Sequence, residues 1–337
     1  MKTYKFLLVA LIATGFFSAC TNEAEVEPVS INQATEISFR LQGGMPEVTT
    51  RAMATTLDKL EAFVVFGTDN VLTSPALLFD SVTVARKLDG TFAYAPKVYY
   101  SNGAASASFF AFSPVSANIS SGSITTTSLL TAGASFSYTV LPPDGTGDAV
   151  QEDLLVTATT VTPSASPVSL TFKHALSRIF VTATNAADEP VIIKDITLKN
   201  LKTTGTLAVN FTPALTWTSA STPGDYKYIL ATTGVVVPGG TAAKTLVTSM
   251  EQGMMVLPQA IVTTGTGNQA AGDFALEIKY DFANLSNQTQ YVYITNGYPF
   301  AAGKQYNINI TFAGLLPIEF VVIDVDDFDA PVEVTYP

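Results

Sequence analysis

The sequence predicts an all-β protein, and three observations carry that expectation. Thr, Ser, Val and Ala dominate a chain that is 47% hydrophobic and only 13% charged, and β-branched residues pack well on a pleated surface. Apolar residues fall in short runs, several alternating strictly, which is the pattern of half-buried strands. Between the runs stand Asp89-Gly90, Asn102-Gly103, Ser113-Pro114 and Pro142-Pro143-Asp144-Gly145, which favour turns and hairpins. At 337 residues the chain is long enough for two ordinary domains.

Residues 1–19 have the three parts of an export signal. Lys2 and Lys5 form a positive start, residues 6–17 are apolar, and Phe17-Ser18-Ala19 leads into Cys20. The apolar run is shorter than the ~20 residues that a membrane span needs. The junction resembles a bacterial lipobox, with Phe17 where Leu is more usual. That resemblance implies cleavage before Cys20 and lipidation of its thiol, so that Cys20 anchors the chain in the outer membrane. The chain has no other cysteine, so no intramolecular disulfide forms. One Cys with one His also cannot build a Cys/His zinc site.

Residues 20–51 form a propeptide-like segment. Its first part, 21–35, is acidic and polar and reads as a tether. Ile37, Phe39 and Leu41 then alternate with Ser38, Arg40 and Gln42, a half-buried strand. Gly43-Gly44-Met45-Pro46 breaks it, and Thr50-Arg51-Ala52 follows.

A first β unit is expected over 52–162, completed by the strand near 36–42. Phe63-Val64-Val65-Phe66 is apolar on both faces and suits a central strand of a sandwich. Shorter runs follow at 76–84, 91–100, 108–112, 135–141 and 153–158, with no amphipathic helix of normal length. Residues 159–167, rich in Thr, Ser and Pro, read as a linker. A second β unit is expected over 163–337. Val168, Leu170, Phe172, His174 and Leu176 share one parity, and Ile179, Val181 and Ala183 the other. The switch near Ser177-Arg178 predicts a bulge or sharp bend. Strands follow at 191–198, 205–210, 254–257, 274–280, 291–295 and 306–312. A last pattern, Val332, Val334 and Tyr336, alternates to the end of the sequence and suggests a strand that must pair with something.

Several of these stretches together resemble the fimbrillin (Mfa-like, FimA-like) family of Gram-negative surface lipoproteins. They are Phe109-Phe110-Ala111-Phe112-Ser113-Pro114, Gln151-Glu152-Asp153-Leu154-Leu155-Val156, residues 168–179 with Lys173-His174-Ala175-Leu176-Ser177-Arg178 at their centre, Met255-Val256-Leu257-Pro258-Gln259, and Gly303-Lys304-Gln305-Tyr306-Asn307-Ile308. The resemblance implies two tandem transthyretin-like Greek-key β-sandwich domains. It implies a subunit of a cell-surface fimbria (pilus), exported as a lipoprotein, whose partners are other fimbrial subunits, including tip and anchor proteins. In stalk-forming members an arginine-specific protease removes the N-terminal segment. Here the matching position is Arg51, with Ala52 as the new first residue. The strand carrying Ile37, Phe39 and Leu41 would then leave a groove. A donor strand from the next subunit, with Val332, Val334 and Tyr336 as the candidate, would fill it.

Other functions find less support. With 17 Lys+Arg against 28 Asp+Glu the net charge is −11, which repels nucleic acid. No Gly-x-Ser-x-Gly elbow, no glycosidase carboxylate pair and no glycine-rich phosphate loop is present, so no enzyme, cofactor or metal is expected. His174, the sole histidine, is expected in the core with its nitrogens hydrogen-bonded. Asp324-Val325-Asp326-Asp327-Phe328-Asp329 lacks the glycine and closing glutamate of a calcium loop and reads as an acidic turn. Trp217, Tyr99-Tyr100 and Tyr291-Val292-Tyr293 could stack sugars, but read first as cross-strand packing. The alternative to a fimbria is therefore a permanently anchored lipoprotein that binds glycan or another host or bacterial surface ligand.

Overall fold

The computed structural model describes residues 34–42, 60–71, 74–115, 119–120, 135–141, 151, 153–209, 215–219, 223–230, 233–248, 253–261, 274–293, 299–314 and 319–327. Every regular element among them is a strand. In chain order they are β1 (Phe39–Leu41), β2 (Ala62–Val71), β3 (Ser74–Arg86), β4 (Phe92–Ala93), β5 (Ser106–Ser113), β6 (Ile119–Ser120), β7 (Ser135–Thr139), β8 (Leu155–Val161), β9 (Val168–Leu170) and β10 (Lys173–His174). There follow β11 (Ser177–Asn185), β12 (Val191–Lys202), β13 (Thr204–Ala208), β14 (Thr216–Ser219), β15 (Pro223–Ile229), β16 (Val235–Val237), β17 (Thr241–Leu246), β18 (Met254–Val256), β19 (Ala275–Phe282), β20 (Leu285–Tyr293), β21 (Lys304–Phe312) and β22 (Glu319–Asp327).

The run Phe63-Val64-Val65-Phe66 shows why the first half folds as it does. All four side chains are buried, because β2 lies inside a six-stranded sheet ordered β10-β8-β5-β2-β3-β4. Alternation then splits them between two cores. Phe63 and Val65 join Phe79, Phe109, Leu170 and Phe172 on one face. Val64 and Phe66 join Phe110, Phe136 and Leu207 on the other. That second face is covered by a four-stranded sheet ordered β14-β13-β7-β6, and the Phe110 and Phe136 rings meet at 5.7 Å.

The second half is a sandwich of two five-stranded sheets. One runs β17-β11-β21-β22, with β18 also on β11. The other runs β15-β12-β19-β20, with β16 also on β12. Tyr280 and Phe312 close the space between them, ring centroids 5.1 Å apart. Most pairings are antiparallel, but β11 and β21 run parallel from Arg178↔Gln305 to Asn185↔Phe312. These paired sheets agree with the all-β, double-sandwich expectation.

The parity switch near Ser177 has a different cause from a bulge. The chain changes sheets twice within a few residues. β9 pairs with β1, β10 pairs with β8, and β11 enters the C-terminal sandwich. Val168, Leu170 and Phe172 pack in the first core, and Ala175, Leu176 and Ile179 in the second. Thus β9 and β10, beyond residue 163, pair with strands of the first half, while β7 pairs with β13 of the second.

Candidate functional site

The segment 35–42 is gripped from both sides. On one side it meets residues 98–100: the Ile37 amide donates to Val98 O (2.9 Å) and the Tyr100 amide to Thr35 O (3.0 Å). On the other side β1 runs parallel to β9, with Phe39 opposite Val168 and Leu41 opposite Leu170. There the Val168 amide donates to Ser38 O (2.7 Å) and the Gln42 amide to Leu170 O (2.9 Å). The Tyr94 hydroxyl adds a bond to Ile37 O.

Its side chains follow the alternation read in the sequence. Ile37 and Phe39 are buried, Leu41 half-buried and Arg40 exposed. Phe39 is the hub of an aromatic cluster, with centroids 5.9 Å from Phe63, 5.4 Å from Phe79, 6.0 Å from Tyr94 and 5.6 Å from Phe109. Outside, Lys97 pairs with Glu36 at 2.7 Å, and the Arg40 guanidinium donates to Ser169 Oγ at 2.7 Å. The hydrogen bond from Lys97 to the Glu36 carboxylate, with its negative charge, raises the lysine pKa. Burial raises those of Tyr94 and Tyr100.

Cys20, Arg51, Ala52, Val332, Val334 and Tyr336 lie outside the described residues, as do Phe328 and Asp329 of the acidic stretch. His174 is buried, its Nδ1 lying 3.1 Å from Asp153 Oδ1 and 2.9 Å from Oδ2. Trp217 is half-buried and donates its indole N–H to Ala175 O at 2.8 Å. Tyr100 is buried; Tyr99 and Tyr291 are exposed. The Tyr291 and Tyr293 rings run nearly parallel (20°) with centroids 6.4 Å apart. Hydrogen bonding to the Glu277 carboxylate raises the Tyr291 pKa. Among the described residues no group of three or more His, Cys, Asp or Glu is placed to hold a metal ion.

Polar residues of the singled-out stretches prove to be ties, with Gln151 half-buried and Gln259 and Arg178 buried. The Gln151 amide donates to Leu141 O and Met255 O and accepts from the Met255 amide at 2.7 Å. The Gln259 side chain accepts from the Lys202 amide and donates back to Lys202 O. The Arg178 guanidinium donates to Gln305 Oε1 at 2.7 Å and stands 4.9 Å over the Phe180 ring. Gln151 and Gln259 satisfy backbone groups that strand pairing leaves over, and Gln305 gives the buried Arg178 guanidinium an acceptor, as buried polar groups require. Sequence reasoning singled out these stretches without the ties; the signal was a polar residue set into an apolar run.

The sequence pattern of fimbrillin-like proteins matches residues 50–325. Among solved structures, the chain is similar to a fimbrial protein from Bacteroides vulgatus at 14% identity, covering 87% of this chain and 99% of that one, with a TM-score of 0.59. It is also similar to a proposed cell adhesion protein from Bacteroides ovatus at 16% identity, covering 89% and 99%, with a TM-score of 0.51. At these identities the likeness is one of fold. No curated protein matches the chain.

Proposed function

Because this chain belongs to the fimbrillin-like family, we propose that it is a structural subunit of a cell-surface fimbria, exported as a lipoprotein precursor anchored at Cys20. It is a building block rather than an enzyme. Cleavage after Arg51 frees the segment that carries Ile37, Phe39 and Leu41, and a donor strand, with Val332, Val334 and Tyr336 as the candidate, takes its place. Fimbriae so built would support adhesion.

The observation that favours this reading is the lodging of 35–42 between residues 98–100 and β9. Its departure would strand Val98 O, Leu170 O and the amides of Tyr100 and Val168, and would open the aromatic cluster around Phe39. Unpaired strand edges bind extended peptides, backbone pairing giving affinity and alternate side chains giving register. Burying Ile37 and Phe39 is worth about 1.5–3 kcal/mol each before ordering costs. An incoming strand of like composition gains a similar amount, so exchange is nearly balanced. The covalently joined strand wins by effective concentration, and proteolysis removes that advantage. Head-to-tail joints that do not close then grow into a filament.

The test is Arg51→Ala in the expressing cell, read by N-terminal sequencing of the surface form and by ladders on unboiled gels. The proposal expects a first residue of Ala52 and ladders from wild type, and neither from the variant. Equal polymerisation of the two sinks cleavage at Arg51 as the switch. A wild-type chain that stays on the membrane uncut supports instead the anchored, ligand-binding lipoprotein, for which the exposed Tyr291 with the half-buried Tyr293 beside it is the candidate surface.

A further inference from the structure

The ladder between β8 and β10 stops early. Lys173 lies opposite Val156 and His174 opposite Leu155, and the Ala175 amide donates to Leu154 O at 2.8 Å. Two residues on, the same register would set Thr171 against Ala158. There the strands part, because β9 turns to β1, where the Gln42 amide donates to Leu170 O at 2.9 Å. Backbone groups of an antiparallel strand alternate in direction. Those of Ala158 therefore point out of β8 on the side where Leu154 O meets Ala175, and among the described residues no backbone group bonds to them.

A cavity of about 320 Å³ occupies this fork. The β8 side supplies the hydroxyls of Thr157 and Thr159 and the open backbone of Ala158, and Thr171 adds a third hydroxyl across the fork. The β13 side is apolar, with Leu207 and Val209. Lys173 is the one charged residue of the described lining, and it is exposed.

Thr157 points most strongly to a ligand. It is only 6% exposed, yet its hydroxyl makes no hydrogen bond to the described chain. A buried hydroxyl without a partner is costly, and this one lines the cavity. Hydroxyl, amide and carbonyl groups on one wall with apolar side chains on the other match a pyranose, which carries hydroxyls around its rim and C–H groups on its faces. The volume stands at the low end of the roughly 300–1,000 Å³ of small-molecule sites. That is room for a sugar ring or two and not for an extended strand with its side chains.

We propose that the fork between β8 and β9 is a binding site for the terminal neutral pyranose of a surface glycan. Thr157, Thr159 and the Ala158 backbone take its hydroxyls, and Leu207 and Val209 take a ring face. Gln42 also lines the cavity, so the site is complete in the uncut chain. It depends neither on cleavage at Arg51 nor on the Tyr291 surface.

The test uses the full chain with Cys20→Ser and Arg51→Ala, which excludes lipid and cleavage-dependent exchange. The probes are the methyl pyranosides of glucose, galactose, mannose, fucose and N-acetylglucosamine, at millimolar concentration, read by saturation-transfer NMR and calorimetry. At least one should bind, and a trisaccharide ending in that sugar should bind at least as tightly. Thr157→Val nearly keeps the shape and removes the hydroxyl, so affinity should fall about ten-fold. Because that hydroxyl bonds to nothing in the described chain, the variant's thermal midpoint should not fall, which separates a binding role from a structural one. Tyr291→Ala should bind as the parent does. Binding of none of the glycosides, rejection of the trisaccharide, affinity unchanged or a lowered midpoint in Thr157→Val, or affinity lost in Tyr291→Ala overturns the proposal. So does capture of an acetylated Val-Thr-Val-Thr peptide in place of the sugars, which would mark the edge of β8 as a strand acceptor. Failure here with intact ladders from wild type leaves the fimbrial reading standing.

Discussion

The ring of Phe39 meets that of Phe109 edge-on, at 88° and 5.6 Å between centroids. One belongs to a three-residue strand and the other to the central sheet of the first half, so this contact fastens the first segment to the fold. Edge-to-face pairs of this kind add about 0.5–1.5 kcal/mol to the area they bury. Phe39→Ala should cost about 3–5 kcal/mol of stability in the uncut chain, seen as a lower urea midpoint. A loss below about 1 kcal/mol would show that Phe39 does not anchor the segment.

Gly67 lies beneath the same cluster. A Cβ there would stand 2.8 Å from Phe109 Cδ1 and 3.0 Å from Phe79 Cδ2, and both rings are fully buried. Neither has room to yield. Gly67→Ala is therefore expected to destabilise by about 1–3 kcal/mol through overpacking. An unchanged thermal midpoint would contradict that packing.

Asp153 and His174 tie the start of β8 to β10 in a nearly dry site. Asp153→Ala removes the acceptor facing Nδ1 and should cost about 1–3 kcal/mol, since a buried polar group is then left unsatisfied. Asp153→Asn keeps a carbonyl oxygen in place and should cost less. Equilibrium unfolding of the two variants side by side checks the order; Asn as harmful as Ala would refute it.

The β19–β20 hairpin carries a local acid sensitivity. The Asn287 amide donates to Asp281 Oδ1 at 2.8 Å, and this bond, with Lys194 beside it, holds the Asp281 carboxyl below its ordinary value of 3.8. A depressed carboxylate pKa contributes stability that is present above the unfolded value and lost as pH falls through the folded one. Exchange of the Asn287 amide should therefore quicken as pH falls below about 4, beyond the intrinsic pH trend. Asp281→Asn should abolish the extra pH dependence, and a wild-type profile that follows the intrinsic trend would contradict it.

The strands with strong alternation were legible in the sequence: Ile37, Phe39 and Leu41, the two-faced run in β2, and β19 and β21. Hidden were β15 and the more polar β14, β17 and most of β20. Residues such as Ser286, Gln288 and Thr289 carry no apolar periodicity, because one side of an edge strand faces water and its neighbour supplies the core. The inward placement of Phe39 was readable, but its setting was not. Parallel pairing of residues 39–41 with 168–170 joins distant stretches, and nothing local in either announces the other. The parity switch at Ser177 was visible, yet its cause was a change of sheet, which periodicity alone does not separate from a bulge.

The two-sided grip on residues 35–42 has a mechanical consequence. Backbone bonds between paired strands run across the strand axis, perpendicular on the antiparallel flank at 98–100 and slanted on the parallel flank at β9, so a pull along that axis loads them together in shear and does not open them one at a time. A strand seated in this groove, with residues 98–100 on one flank and β9 on the other, would behave as a clamp whose lifetime under tension is set by a rupture rate rather than by binding affinity. A fibre jointed in this way could hold against flow even though the exchange that made each joint was close to balanced.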